Sequence, residues 1–113
     1  EARLRYPYGA VFDGTRCHVK DRDAGKVEPV GSLPGWIGGF EGLHDMVGNV
    51  WEYFDGPCKV DAGGADSGPE ADLCVLKGAS YTDLGDQNDC HFNSNPIRRD
   101  FHGVNVGFRC CSD

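Results

Sequence analysis

The chain has 113 residues, of which 18 are acidic and 11 basic, so its formal net charge is −7. This length limits the chain to one compact domain, because two cores of half the size would each bury too little apolar surface to be stable. The acidic balance argues against a nucleic-acid partner, and the sequence has no apolar run of the roughly 20 residues that a membrane-spanning helix needs.

Strands and long loops are predicted throughout, because glycine, proline and Asp/Asn interrupt every window before an apolar helical repeat develops. In chain order, the predicted strands are 48–54, 74–81 and 104–111. In the first strand, Trp51 and Tyr53 fall on one face and Glu52 on the other, since side chains alternate along a strand. The remaining segments, 13–42, 55–72 and 82–103, are predicted as loops. Loops of this length are uncommon unless they carry function or are tied down.

Six cysteines in a chain with 17 glycines favour disulfide bonds over reduced thiols. This composition predicts an extracellular, periplasmic or other oxidising compartment. A zinc site is disfavoured, because no two cysteines have a C-x2-C or C-x4-C spacing and no H-x3-5-H pair occurs.

Segment 42–53 contains the residues best suited to bind a metal ion. Asp45 and Glu52 offer hard oxygen ligands, and Gly48 allows a turn that would point the carbonyls of Gly48 and Val50 in the same direction, as calcium requires. The residues alone also allow an Asx turn leading into a core strand, with Glu52 simply solvated.

Five motifs occur in order along the chain: YPYG at 6–9, PVGS at 29–32, GLHDMVGNVWEY at 42–53, LKGASY at 76–81 and NVGFRC at 105–110. Together they resemble the formylglycine-generating enzyme, or sulfatase-modifying factor, family. The resemblance covers essentially the whole chain and implies a single domain over 1–113 that is the C-terminal part of the family's larger domain. The implied fold is α+β with low regular secondary structure, an irregular C-type-lectin-like arrangement of strands and long loops, stapled by disulfides.

Calcium is also implied by the resemblance. The family's calcium site falls on the side chains of Asp45 and Glu52 and the carbonyls of Gly48 and Val50, which favours calcium over the Asx-turn alternative. A second family calcium site is expected in 17–23, where His18 stands in place of the usual asparagine. The candidate ligands of this second site are His18, Val19, Asp21 and Asp23.

Catalysis in this family needs copper and two cysteines. The enzymes convert a cysteine of a client sulfatase into formylglycine with molecular oxygen, and a copper ion is held by two cysteines with four residues between them. Cys90 is the only cysteine between the GASY and GFR motifs. If it is the first of the pair, the second position is Asn95; if it is the second, the first is Gly85. Copper(I) selects thiolate ligands, and neither Asn95 nor Gly85 has a thiol. One of the two copper ligands is therefore missing.

Disulfide pairs are predicted for all six cysteines. Cys58 and Cys74 flank the acidic loop, and closing a loop of that size contributes about 3 kcal/mol in the chain-entropy description. Neighbouring residues of the last predicted strand point to opposite faces, so its two cysteines should bond different partners. The predicted pairs are Cys90–Cys110 and Cys17–Cys111, although six cysteines permit many others. Arg109 is predicted to tie the last strand to a carboxylate or to loop carbonyls.

The sequence therefore predicts a non-catalytic, calcium-bearing, disulfide-stabilised binding or structural module. Its ligand would be a protein, peptide or glycan, and the N-terminal part of the same domain is a candidate partner as a separate chain. The alternative is a formylglycine-generating or related copper-dependent oxidase, in which Cys90 is catalytic and another chain completes the active centre. The loop 82–103 is the predicted ligand face, with the candidate residues Asn93, Asn95, Arg98, Arg99, Asp100 and His102.

Overall fold

The computed structural model describes residues 4–22, 25–33, 41–54, 58 and 73–110. Within these ranges, helical structure is limited to the 3₁₀ turns Gly14–Arg16, Lys20–Arg22 and Gly85–Gln87. The predicted character of the chain, mostly strands and loops, is confirmed for these residues. None of their helical segments is long and apolar enough to cross a membrane.

The strands are short and form two small sheets in the described part of the chain. They are β1 Trp51–Tyr53, β2 Leu73–Cys74, β3 Leu76–Lys77, β4 Ile97–Arg98 and β5 Val106–Gly107. β1 is central in one sheet, antiparallel to β3 with Glu52 opposite Lys77 and parallel to β5 with Trp51 opposite Val106. The other sheet pairs β2 with β4 antiparallel, with Cys74 opposite Ile97.

The observed strands are shorter than the predicted segments 48–54, 74–81 and 104–111. Gly48 and Asn49 have φ angles of 93° and 69°, so the chain is left-handed just before β1. Gly78 and Ala79, with φ of 95° and 63°, are likewise left-handed just after β3. A left-handed residue cannot continue an extended strand, which explains why β1 begins later and β3 ends earlier than predicted. β4 lies inside the predicted loop 82–103, because two residues are too few to show an alternating pattern.

Three distant segments meet at Gly48. The Asn49 amide donates to the His18 carbonyl at 2.8 Å, and the Gly48 amide donates to the Gly78 carbonyl at 2.6 Å. The Tyr81 amide in turn donates to the Asn49 carbonyl at 3.1 Å. These bonds place the turn before β1 between the segment around His18 and the turn after β3.

The buried residues include the larger side chains of Tyr6 and Leu76, but most of them are small or polar. Cys17, Val19 and Val47 form a cluster with Tyr8 and Phe12 packed against it. Buried polar residues take part in the core as well, among them His18, Asn49 and Ser80. The side-chain amide of Asn49, for example, makes two 2.9 Å bonds to Glu28: its Oδ1 accepts from the Glu28 backbone amide, and its Nδ2 donates to the Glu28 carbonyl. Such side-chain to backbone bonds hold much of this loop-rich fold together.

The structure joins Cys58 to Cys74 by a disulfide with a Cα–Cα distance of 4.4 Å, the predicted pair that flanks the acidic loop. The other predicted pairs, Cys90–Cys110 and Cys17–Cys111, are not formed: Cys17, Cys90 and Cys110 carry free thiols, and Cys111 lies outside the described residues. The alternation argument fails because β5 ends at Gly107, before these cysteines. Cys17 is instead buried, with its Sγ 3.0 Å from the Tyr8 hydroxyl, and burial raises the pKa of its thiol to about 11.

Candidate functional site

Asp45 is a buried carboxylate in an unusual backbone conformation. Its φ is 60°, and the residue is only 5% exposed. Oδ2 accepts a 2.9 Å hydrogen bond from the Gly31 amide, whereas Oδ1 is buried without a hydrogen-bond partner among the described residues. Burial raises the pKa of Asp45 above its ordinary value. A cation bound to Oδ1 would offset this cost, since a buried charge needs a partner.

Arg109 connects three segments around Asp45. Its guanidinium holds Glu52 by two 2.6 Å bonds, Nε to Oε2 and Nη2 to Oε1. It also donates to the carbonyls of His44 at 2.9 Å and Asp45 at 3.0 Å. The predicted structural role of Arg109, tying the chain end to a carboxylate and to loop carbonyls, is confirmed by these four bonds.

A cavity of about 210 Å³ lies between these groups. It brings together Asp45, Val50 and Glu52, three of the four residues predicted for the calcium site, while Gly48 is not among its lining residues. Arg109 occupies both oxygens of Glu52, but a carboxylate has about four lone-pair positions and retains some for a metal ion. The described residues contain no cluster of three or more His, Cys, Asp or Glu side chains, so a cation here would depend on backbone carbonyls as well. Such an oxygen-only donor set suits calcium.

The residues of the predicted second calcium site have separate partners. His18 places Nε2 2.5 Å from the Lys26 carbonyl and stacks on Tyr81 with ring centroids 6.1 Å apart. Asp21 accepts a 3.1 Å bond from the Gly85 amide, and the Val19 side chain is part of the buried cluster. Asp23 lies outside the described residues. The second calcium site therefore stays a prediction.

A larger cavity of about 580 Å³ lies between the strands and the loop 82–103. We call it the amide–aromatic pocket, because aromatic and aliphatic side chains and side-chain amides together form its wall. Charged residues are few, limited to Lys20 and Asp83. Its lining residues are Lys20, Trp51, Leu76, Thr82, Asp83, Leu84, Gln87, Asn88, Phe92, Ser94, Asn95, Ile97, Phe101, Asn105 and Val106.

Of the predicted ligand residues in the loop, the structure places Asn95 in this wall and the others outside it. Arg98 forms a surface ion pair with Asp100 at 3.1 Å, and the His102 Nδ1 lies 3.3 Å from the Asp100 carbonyl. Asn93 and Arg99 are exposed and do not line the pocket. Sequence reasoning missed Trp51, which the alternation along β1 had already placed on the face opposite Glu52.

Cys90 lines a different cavity of about 330 Å³, together with Tyr53, Phe54 and Lys77. The Lys77 ammonium donates to the Cys90 carbonyl at 3.2 Å. Burial, followed by the nearby Asp89 charge, raises the pKa of the Cys90 thiol, which disfavours the thiolate. No described cysteine lines the amide–aromatic pocket.

A family model for the sulfatase-modifying factor enzyme 1-like domain matches residues 3–113. The chain belongs to the FGE-sulfatase family. It is similar to the "Inactive C-alpha-formylglycine-generating enzyme 2" of Bos taurus, with 30% identity over 121 residues. The match covers 95% of this chain and 37% of that FGE-sulfatase relative. The resemblance that the five motifs indicated is therefore confirmed, although the chain spans little more than a third of the relative's length.

Proposed function

We propose that this chain is a non-catalytic binding module of the FGE-sulfatase family, working in an extracellular or other oxidising compartment. The observation that carries the proposal is the position of Cys90, which lines a cavity other than the amide–aromatic pocket. Copper(I) binding needs thiolates, and this thiol has a raised pKa and no second cysteine among the described residues that line its cavity. The relative's name, which describes an inactive enzyme, supports the same function.

The amide–aromatic pocket supports the binding role. Trp51, Leu76 and Val106 come from the three strands of the β1 sheet, and the opposite wall comes from the loop that follows β3. A loop displayed over paired strands is a common arrangement for recognition. The Cys58–Cys74 disulfide supports the oxidising compartment, because such bonds persist where thiols are not kept reduced. An irregular C-type-lectin-like fold fits this scarcity of regular structure.

A copper test distinguishes the module from the oxidase. We expect the protein to take up no copper(I) in competition with a chromogenic chelator, and to form no formylglycine on a cysteine-containing peptide under oxygen. The Cys90→Ser variant should behave like the wild type in both assays. Cys110→Ser is the matched control, since Cys110 is also an exposed free thiol. Copper uptake and turnover that disappear in Cys90→Ser alone would establish the oxidase instead.

Calcium is the second part of the proposal, held by the side chains of Asp45 and Glu52 with the carbonyls of Gly48 and Val50. The buried Oδ1 of Asp45 without a donor, the cavity beside it and the oxygen-only donor set support this assignment. Calcium there would hold the turn before β1 in place, and the ligand-binding loops would gain rigidity from it.

The Asp45→Asn variant tests calcium binding directly. Calcium at a hundredfold excess over its dissociation constant should stabilise the wild type by about 2.7 kcal/mol and raise Tm by roughly 10 °C. The variant should lose this response while still folding, because asparagine keeps an acceptor for the Gly31 amide and tolerates the left-handed backbone. Asp100→Asn, at an exposed ion pair, should respond to calcium like the wild type. Equal calcium responses in wild type and Asp45→Asn, measured by thermal scans with calcium or chelator, would refute the assignment.

A further inference from the structure

We infer that the amide–aromatic pocket binds a neutral saccharide, such as the terminal sugars of a glycan. The inference rests on the proposed function and adds the chemical class of the ligand. It follows from the charge, the hydrogen-bonding groups and the aromatic surface of the wall.

The wall carries little charge that a ligand could use. Among the described residues that line it, Lys20 and Asp83 are the only charged ones. The Oδ2 of Asp83 is already engaged within the protein, accepting bonds from the Ser80 amide at 3.0 Å and the Ser80 hydroxyl at 2.5 Å. The net charge of −7 also opposes an acidic ligand. A neutral ligand fits this wall best.

Four side-chain amides line the pocket, those of Gln87, Asn88, Asn95 and Asn105. Gln87 and Asn95 make no side-chain hydrogen bond to any residue that the structure describes, and both line the pocket. An amide offers one acceptor oxygen and a donor NH₂ group, which matches neighbouring hydroxyls that both donate and accept. A ligand that carries several neighbouring hydroxyl groups can bond to both the oxygen and the NH₂ group of such amides.

Aromatic rings face the same space. The Trp51 and Phe92 rings have centroids 6.2 Å apart and are tilted by 40°. Phe92 is 42% exposed and Phe101 48% exposed, so their apolar surfaces are available to a ligand. The C–H faces of a pyranose ring pack on such surfaces while its hydroxyls point outward to amides. The volume of about 580 Å³ lies within the usual range for small-molecule sites.

An extended peptide fits the wall less well. Peptides that add to a protein as a strand need unpaired backbone groups at an edge. In the loop wall, the Phe92 amide already donates to the Asp89 carbonyl at 3.0 Å and the Ser94 amide to the Leu76 carbonyl at 3.1 Å. The Val106 amide likewise donates to the Gly103 carbonyl at 3.2 Å. The wall therefore presents side chains, which suits a sugar more than a peptide backbone.

The test screens the full chain, in calcium-containing buffer, against an array of neutral and acidic oligosaccharides and against an array of extended peptides. The best-bound sugar is then titrated as its free methyl glycoside by calorimetry. Asn95→Asp is the test variant, and Asn93→Asp is the matched control, since it adds the same charge two residues away outside the pocket. We expect neutral oligosaccharides to bind, with affinity lowered about tenfold by Asn95→Asp and little changed by Asn93→Asp.

Three results would overturn the inference: no oligosaccharide binding, preference for acidic oligosaccharides, or equal affinities for Asn95→Asp and Asn93→Asp. Peptide binding that is weakened by Asn95→Asp, without sugar binding, would overturn the saccharide and leave the binding-module function standing. The copper assay tests the proposed function separately: copper uptake that depends on Cys90 would overturn the non-catalytic module, whatever the sugar arrays show.

Discussion

Replacing Gly48 by alanine should lower the free energy of unfolding by more than about 3 kcal/mol, enough to unfold much of the protein at 37 °C. Gly48 has φ of 93°, where an L side chain is strained, and a Cβ there would stand 2.3 Å from the His18 carbonyl oxygen and 2.6 Å from its carbon. The backbones cannot separate cheaply, because the Asn49 amide donates to that same His18 oxygen. Urea denaturation followed by circular dichroism measures the effect.

Gly42→Ala is the matched control for this prediction. Gly42 also has a left-handed backbone, with φ of 80°, but a Cβ there would meet nothing within 4 Å. Its cost should be that of the backbone conformation alone, about 1 kcal/mol. Similar losses for the two variants would show that close contact between Gly48 and His18 does not hold the segments together.

Replacing Arg109 by methionine should lower the free energy of unfolding by about 2 to 3 kcal/mol. The change removes both bonds to Glu52 and leaves that carboxylate without its cation, in addition to freeing the His44 and Asp45 carbonyls. The side chains of Arg109 and Glu52 are 30% and 22% exposed, so water reduces the loss below that of a fully buried pair. Urea denaturation again gives the free energy.

Two further variants complete the Arg109 experiment. Arg5→Met removes a more exposed pair with Asp89, in which the Arg5 side chain is 58% exposed, and should cost less than about 1 kcal/mol. Adding Glu52→Gln to Arg109→Met removes the stranded charge and should recover part of the lost stability. If Arg109→Met costs no more than Arg5→Met, the four bonds do not stabilise the fold as proposed.

More of the predicted calcium residues than of the predicted ligand residues line a common cavity. Asp45, Val50 and Glu52 lie within one motif and line one cavity, because a short turn before a strand brings near neighbours together. The loop 82–103 was predicted as the ligand face, and of its predicted ligand residues only Asn95 lines the pocket. Polar composition marks a loop as exposed, but it does not tell which side chains turn toward the strands.

The cysteines show a similar division. Cys58 and Cys74 flank the acidic, glycine-rich loop, and this placement along the chain was enough to predict their bond. The pairs of the other four cysteines were predicted from alternation in a strand that ends at Gly107. The left-handed residues that shorten the strands include Ala79, which no residue-type rule would single out in an extended segment.

The family, the mostly strand-and-loop character and the role of Arg109 were determined by the sequence itself, since motifs, breakers and residue chemistry are local properties. Only the tertiary structure decided where Cys90 lies and how the walls of the pockets are composed. Those features depend on contacts between residues far apart in the chain, such as Leu76 and Ser94, which are 18 positions apart and both line the amide–aromatic pocket. Such contacts are selected by the packing of the whole fold, and local patterns do not encode them.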